Sequence, residues 1–409
     1  MTSTDIKAAF FIAYKTISKG HKSTLALIVF ILSLSFFNLM FVSGFLSGFS
    51  DGIIRSMVET TTAHLAVLPQ EEPIKKEYII DQASVRAGIE TIPGIVATAA
   101  HYQLGGSFAY DKEKDGVFTY VSAPIIAVNQ TEEKAVLNIA DHMVSGEFPD
   151  TLQKDEIILG ANLAGGFGTE QTTDLGGVVV GDTVAVVYGN GVSRTYTVRG
   201  IFRVTIGGIG GTAFVSAKEA EAILSTFNTA SEIMVKADLT KYTLDEYAAR
   251  IESLYPELVV EKYTTRLSTV GILVAAFNII ALIVSVISII VAAITIFVMI
   301  YVNAVSKRRQ IGILKAIGIK ESIIELSYVI QSIFYASLAV FFGMLLVFFT
   351  VIPFLDARPI MMPYGEATLV FTTVGIIINI VSLLVSGLLA GFVPAKMVAR
   401  ENILTSIWG

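Results

Sequence analysis

Long uncharged stretches flank a charged, strand-rich middle in this chain. Four apolar runs carry no charged residue: 25–50, 267–306, 326–355 and 367–395. Each exceeds the roughly 20 residues that a membrane-spanning helix needs. The second run has 40 residues, with neither Pro nor Gly between Ile272 and Gln310. No turn signal divides it. It predicts one helix of about 60 Å, which overshoots a hydrocarbon core of about 30 Å and projects as a stalk. The first run is too long for the apolar part of a signal peptide, and no small-x-small cleavage site follows it before Asp51. It predicts a retained signal anchor.

Between the first two runs the period changes. Gln82 to Thr91 has helical spacing and ends at Pro93-Gly94. His64 to Leu68, Ile95 to Ala99, Val117 to Val128, Glu232 to Lys236 and Leu258 to Tyr263 read as strands, and Leu244 to Leu254 as a helix. Strands and helices at both ends of the 51–266 segment predict one α+β subdomain that the chain leaves and re-enters. The middle, 129–225, is rich in Gly and Val. Its strands are Glu156 to Leu159, Thr183 to Tyr188, Thr195 to Phe202 and Ala213 to Val215, with a hairpin at Gly189-Asn190-Gly191. It reads as an inserted, mainly β subdomain. Before the first run, residues 5–19 read as a basic amphipathic helix on a membrane face, with Ile6, Phe10, Ala13 and Ile17 as its apolar stripe.

Charge orients this layout. Basic residues dominate at 1–24 (Lys7, Lys15, Lys19, Lys22), in the 307–325 connection (Lys307, Arg308, Arg309, Lys315, Lys320) and after the last run (Lys396, Arg400). The 51–266 segment holds 17 basic and 29 acidic residues. The positive-inside bias places both termini and the 307–325 connection in the cytoplasm, with 51–266 outside. The Pro-bearing connection 353–366 also lies outside. The expected fold is a membrane protein of four transmembrane α-helices plus a large α+β extracytoplasmic domain with an inserted mainly-β subdomain. Its parts are the amphipathic helix (1–24), spans at 25–50, 267–306, 323–352 and 367–395, a cytoplasmic helix at 307–322, and a tail at 396–409.

Several chemistries have no residues to carry them. Cysteine is absent, which removes disulfides and thiolate chemistry. There is no G-x-x-x-x-G-K-[ST], so the chain has no phosphate-binding loop of its own. Gly208 to Ala213 fits G-x-G-x-x-A, but Phe214-Val215 continues it as a strand rather than a helix. His21, His64, His101 and His142 show no ligand spacing and straddle the membrane, which argues against a metal site. The outer carboxylates are unclustered in sequence and read as solvated surface. The apolar runs contain amides, Asn38, Asn278, Asn303, Gln331 and Asn379, which read as contacts between helices. Phe36, Phe37 and Phe41 cluster in the first span; packing explains them, and so does a wall for an apolar substrate.

The segment Lys307 to Ser322, KRRQIGILKAIGIKES, joins two spans. Its charge alone makes it a topology anchor; its amphipathic turn fits a helix docked on a cytoplasmic partner. Arg308-Arg309-Gln310-Ile311-Gly312-Ile313-Leu314-Lys315-Ala316-Ile317-Gly318 is similar to the R-R-x-I-G-x-L-K-A-x-G hallmark of MacB/LolE-type ABC transporter permeases, which include the FtsX-like permeases. Ile12 to Leu25, Pro394 to Arg400, Gly146-Glu147-Phe148, Ile157 to Gly160, Leu163-Ala164, Gly181 to Val184 and Val198 to Phe202 also resemble family segments. The link Gly168 to Val180 is longer than the family's usual one.

The resemblance implies a multi-pass permease of a bacterial inner membrane, with no ATPase activity or cofactor of its own. ATP and Mg would be bound by a separate cytoplasmic ABC ATPase dimer, and the permease would pair with a second copy or a paralogue. Arg308, Arg309, Ile311, Gly312, Leu314, Lys315, Ala316, Ile317 and Gly318 would contact the ATPase. Thr60 to Leu65 and the 200–220 region look most like the lipoprotein-release branch, with Phe36, Phe37, Met40, Phe41 and Phe277 lining a substrate cavity. The partners implied are a lipoprotein or other amphipathic substrate and membrane lipids, with no nucleic acid. A second class remains open, a mechanotransmitter that moves no substrate and regulates an outer partner such as a cell-wall hydrolase.

Overall fold

The computed structural model describes residues 3–19, 22–70, 77–167, 173–204, 208–358, 361–362, 365–366 and 368–399. Most of the expected tail 396–409, and Pro359 and Pro363 of the expected outer connection, lie outside the described residues.

Helix α1 is Ser3–Ser18, and α2 is Lys22–Met57, which continues into a π-helical turn, Val58–Thr62. Strand β1 (Leu65–Pro69) and helix α3 (Gln82–Glu90) follow. Next come β2 (Ile95–Tyr110), β3 (Thr119–Val128) and α4 (Gln130–Val136). The inserted region continues with β4 (Met143–Gly146), β5 (Glu156–Gly160), β6 (Thr183–Tyr188), β7 (Ser193–Phe202), β8 (Ala213–Ser216) and α5 (Ala217–Leu224). Strand β9 (Glu232–Ala237), helix α6 (Leu244–Leu254) and β10 (Leu258–Lys262) complete this part. A helical turn, Tyr263–Arg266, leads into α7 (Ser268–Ser306). Helices α8 (Arg308–Ala316), α9 (Glu321–Leu346) and α10 (Thr373–Ala399) close the chain.

The described residues form two compact units. The helical unit draws on 1–51, 273–360 and 366–409, and the sheet unit on 52–272 and 361–365. Among the described residues, four helices are long and apolar enough to cross a membrane: Leu25–Thr62, Val270–Ser306, Glu321–Leu355 and Thr373–Met397. The 40-residue apolar run is indeed one helix, with 39 residues in α7. Nothing in its sequence interrupts the ladder of backbone hydrogen bonds.

The helical core joins Leu32, Phe36 and Met40 of α2 to Ala292, Ile296 and Ile300 of α7, Tyr335 and Ala336 of α9, and Leu383 of α10. Small residues let the backbones approach. At Gly343 a Cβ would lie 2.7 Å from the Phe36 ring and 3.1 Å from the Ser33 carbonyl. Of the predicted amide contacts, those of Asn38, Asn303, Gln331 and Asn379 are present, whereas Asn278 is exposed. Ser288 donates to Asn38 Oδ1 at 3.0 Å, and Asn303 donates to Gln331 Oε1 at 3.4 Å. Helix α1 divides its expected stripe between the bundle and the outside. Ala9 and Ala13 are the buried positions, whereas Phe10 is 62% exposed. This helix packs against α9, and small side chains permit the close contact.

The sheet unit holds one ten-stranded sheet, ordered β10-β1-β9-β2-β3-β8-β5-β7-β4, with β6 pairing β2 and β7. The inserted region therefore has no sheet of its own, and it contributes α4 and α5 as well as strands. The reason is β2, which runs well past the Ala99 expected as its end. Its first half pairs with β9 (His101 opposite Glu232), and its second half pairs with β6 (Gly106 opposite Tyr188). Gly105-Gly106 interrupts the apolar alternation and hides the continuation in the sequence. Glycine is needed there, because a Cβ at Gly106 would lie 2.7 Å from Val186 and 2.9 Å from Ile125. The insert packs its core together with β2 and β3, around Phe108, Ile125, Leu159, Val186, Tyr196 and Val215. A separate cluster around Leu65, Ile89, Val235 and Tyr247 packs α3 and α6 on the other strands. Helix α6 starts where the pattern placed it, on a capping box of Thr243 and Glu246.

Candidate functional site

The predicted cytoplasmic helix exists as a separate element. Lys307 breaks the helix after α7, α8 makes its own turns, and Gly318 (φ 93°) takes the left-handed conformation that starts the return into α9. Helical pitch sorts its residues onto two faces. Ile311 is 4% exposed and lies in the helical core, Gly312 is buried beside it, and Leu314 packs partly against the same core. Arg308 is half-buried, and Lys315 Nζ pairs with Glu321 Oε1 at 2.8 Å. The opposite face presents Arg309, Ile313 (51% exposed), Ala316 and Ile317 (71% exposed). Ile311 and Leu314, expected to supply apolar contact to a partner, are thus turned into their own bundle. Ile313 stands exposed in their place.

The aromatic residues of α2 divide in the same way. Phe36 and Met40, one turn apart, are fully buried in the helical core. Phe37 packs partly against that core and stacks on Phe41 at 5.5 Å, and Phe41 stacks on Phe45 at 5.9 Å; all three rings are half-buried. Phe277 meets Phe49 edge-on at 4.9 Å. An apolar cavity of about 530 Å³ lies elsewhere, between Leu25, Val29, Phe30 and Ser33 of α2 and Phe342 and Leu346 of α9. None of the five expected cavity residues lines it. In the sheet unit, a cavity of about 890 Å³ opens beside Gly105-Gly106, lined by Tyr78, Gln103, Tyr188 and Asn190 among others.

The sheet unit also buries charge, against the expectation of solvated carboxylates. The side chains of His101 (β2), Glu133 (α4) and Glu232 (β9) are 3%, 1% and 4% exposed. His101 Nε2 lies 2.6 Å from Glu133 Oε2, and its Nδ1 lies 3.7 Å from Glu232 Oε1. Arg266 Nη1 reaches Glu232 Oε2 at 2.8 Å, and Gln103 Nε2 donates to Glu232 Oε1 at 2.9 Å. Burial alone would push His101 down, but Glu133 and Glu232 hold it up at about 10. Burial would likewise raise Glu232, but His101, Arg266 and Gln103 bring it to about 2. Both groups are charged over a wide pH range. Sequence reading missed this cluster because its members are far apart in the chain. Among the described residues no group of His, Cys, Asp and Glu is arranged to hold a metal ion.

Residues 24–254 match the family described as MacB-like periplasmic core domain, and residues 282–403 match FtsX-like permease C-terminal. The chain belongs to the MacB-like, FtsX-like permease family. A permease of this family is generally the non-catalytic membrane subunit of an ABC transporter, with an ABC ATPase as its implied partner. None of the curated proteins matches the chain. Solved structures similar to it include the periplasmic region of MacB from Actinobacillus actinomycetemcomitans, at 10% identity and TM-score 0.33, covering 54% of this chain and 97% of that one. Another is the extracellular domain of the noncanonic ABC-type transporter YknZ from Gram-positive bacteria, at 13% identity and TM-score 0.34, covering 49% of this chain and 100% of that one. In this permease the four apolar helices accompany a large α/β extracytoplasmic domain, the sheet unit.

Proposed function

We propose that this permease converts ATP hydrolysis by a separate cytoplasmic ATPase into movement of its outer domain, and thereby extracts or exports a lipoprotein or other amphipathic substrate. The observation that supports this reading most is α8. It is a short helix between two membrane-spanning ones, and it turns Arg309, Ile313, Ala316 and Ile317 outward. An exposed apolar pair beside a basic residue on a helix fits docking into a groove of a partner. Arg308, Gly312, Lys315 and Gly318 then hold the shape of α8. The stacked Phe37, Phe41 and Phe45 offer an apolar wall to a lipid-bearing substrate, in company with a second permease copy or a paralogue.

The test is reconstitution of the permease with its ATPase in vesicles carrying a labelled lipoprotein and a soluble lipoprotein acceptor. ATP-dependent release of the label is expected. ATP hydrolysis without release would sink the transport half of this reading and favour a mechanotransmitter that acts on an outer partner. An ATPase that fails to bind the chain would sink the whole.

A further inference from the structure

The buried charge cluster sits where the chain returns toward the long helix α7. Arg266 closes the turn Tyr263–Arg266, and helical hydrogen bonds carry on from that turn, with Leu267 N bonded to the Tyr263 carbonyl at 2.8 Å and Gly271 N to the Leu267 carbonyl at 2.8 Å. A shift or rotation of the first turn of α7 is therefore a shift of Arg266. Arg266 holds Glu232, Glu232 neighbours His101, and His101 holds Glu133. Glu133 belongs to α4, the first element of the inserted region. The same helix is tied to the other chain connection, since Asn138 N, just beyond α4, donates to the Glu59 carbonyl of the π-helical turn at 2.8 Å.

Stability alone is a poor reason for this arrangement. A buried ion pair gains little over well-packed apolar side chains of the same size, and its best-attested use is to set register or to switch. The geometry has the asymmetry of a switch. His101 is shared unequally between two carboxyls, at 2.6 Å and 3.7 Å. Glu133 Oε1 is buried with no hydrogen-bond partner, so the hold of His101 on α4 runs through a single oxygen. When Arg266 leaves, Glu232 keeps only His101 and Gln103 as partners. Its charge then draws the imidazolium toward itself and away from Glu133.

We propose that Arg266, Glu232, His101 and Glu133 form a relay that couples the first turn of α7 to α4, so that movement of the long helix repositions the inserted region. This rests on the reading that the chain transmits force to its outer domain. All four are positioning residues, and none is a substrate contact.

The experiment is hydrogen exchange on the full-length protein in lipid nanodiscs, with neither ATPase nor nucleotide present. The reporters are the α4 amides of Glu133, bonded to the Asn129 carbonyl at 2.9 Å, and Leu137, bonded to the Glu133 carbonyl at 2.7 Å. Arg266→Gln should speed their exchange at least about fivefold, the lower end of couplings between distinct sites. The amide of Tyr247 in α6, outside the relay, should not change. Glu133→Gln added to Arg266→Gln should speed the α4 amides no further than Glu133→Gln alone. Arg266→Lys keeps the charge but loses the guanidinium fork, and should give a smaller rise confined to α4. Unchanged α4 exchange in Arg266→Gln, or effects that multiply in the double variant, would overturn the relay. If Arg266→Gln also speeds Tyr247, the domain has come loose and Arg266→Lys decides, with no rise in α4 counting against the proposal. A negative result here leaves the ATPase reading standing, and a failed reconstitution leaves the relay standing.

Discussion

Within the spanning helices of the helical unit the buried polar side chains are neutral, Ser33, Ser288, Ser327, Gln331, Ser332 and Asn379 among them. Those of the sheet unit include His101, Glu133, Glu219 and Glu232, all of them ionisable. The difference follows from what surrounds each unit. A hydrocarbon phase offers no water to a side chain on the unfolded or separated helix, so charge is costly there at every stage. Amides and hydroxyls can find partners on neighbouring helices at modest cost. A domain in water can bury charge, provided that each charge meets its opposite on the way in. The Arg194–Glu219 pair at 2.8 Å and the His101 cluster meet that condition. One unit therefore depends on many weak polar contacts, and the other on a few strong ones.

The largest effect should come from breaking a strong contact. Glu232→Gln preserves shape but leaves Arg266 and His101 facing a neutral group. Removing one member of a buried ion pair costs about 3–5 kcal/mol. Denaturant unfolding of the full chain, followed by a probe in the sheet unit, should show a loss of that order. A loss below about 1 kcal/mol, the range of exposed pairs, would mean that the cluster is solvated in practice.

The same cluster predicts a pH profile. His101 is raised from 6.5 to about 10, so its contribution is complete below 6.5 and is lost as pH rises through 10. Glu232 is lowered from 4.5 to about 2, so its contribution is complete above 4.5 and is lost as pH falls through 2. The charged groups facing His101 are Glu133 from α4 and Glu232 from β9, with Arg266 behind Glu232. The melting temperature of the sheet unit should hold a plateau between pH 4.5 and 6.5 and decline on both sides. In His101→Gln the alkaline decline should flatten. An equal alkaline decline in wild type and variant would remove His101 as its cause.

A third prediction separates the two faces of α8. Ile313→Glu should weaken capture of the ATPase about tenfold or more, as truncation of a central contact does, with little change in thermal stability. Ile311→Glu should instead lower stability, because that side chain lies in the helical core. Equal loss of ATPase capture in two well-folded variants would show that α8 docks by a different face.

These contrasts also explain what could be read from the chain. The spans, the long α7 and the separate α8 were legible because runs, charges and the Gly318 turn are local signals. So were α6, β6 and the hairpin after it, each set by nearby residues. The shared sheet was not legible, since two glycines in β2 conceal a strand whose two halves pair with β9 and β6. The inward face of α8 was also missed. KRRQIGILKA shows its period, but only packing reveals which stripe meets the bundle. His101, Glu133, Glu232 and Arg266 have no spacing that could join them, and pairwise contact across four elements leaves no mark in a single sequence.

The smallest effect tests the other side of the contrast. Ser288 on α7 donates to Asn38 on α2 at 3.0 Å, a contact between two spanning helices. In an apolar phase a bond of this kind looks strong, but the separated helices also find polar partners within the membrane. The net value should therefore be near the average of about 0.6 kcal/mol for such contacts. A double-mutant cycle of Asn38→Ala and Ser288→Ala, read by unfolding in bicelles, measures the pair alone. The single variants should each cost little, because a small cavity between helices can be filled by a shift of neighbouring side chains. A coupling well above about 1.7 kcal/mol, the largest seen for such pairs, would place this hydrogen bond in the class of the buried ion pairs. The division between weak neutral contacts in one unit and strong charged ones in the other would then fail at the contact where it ought to be clearest.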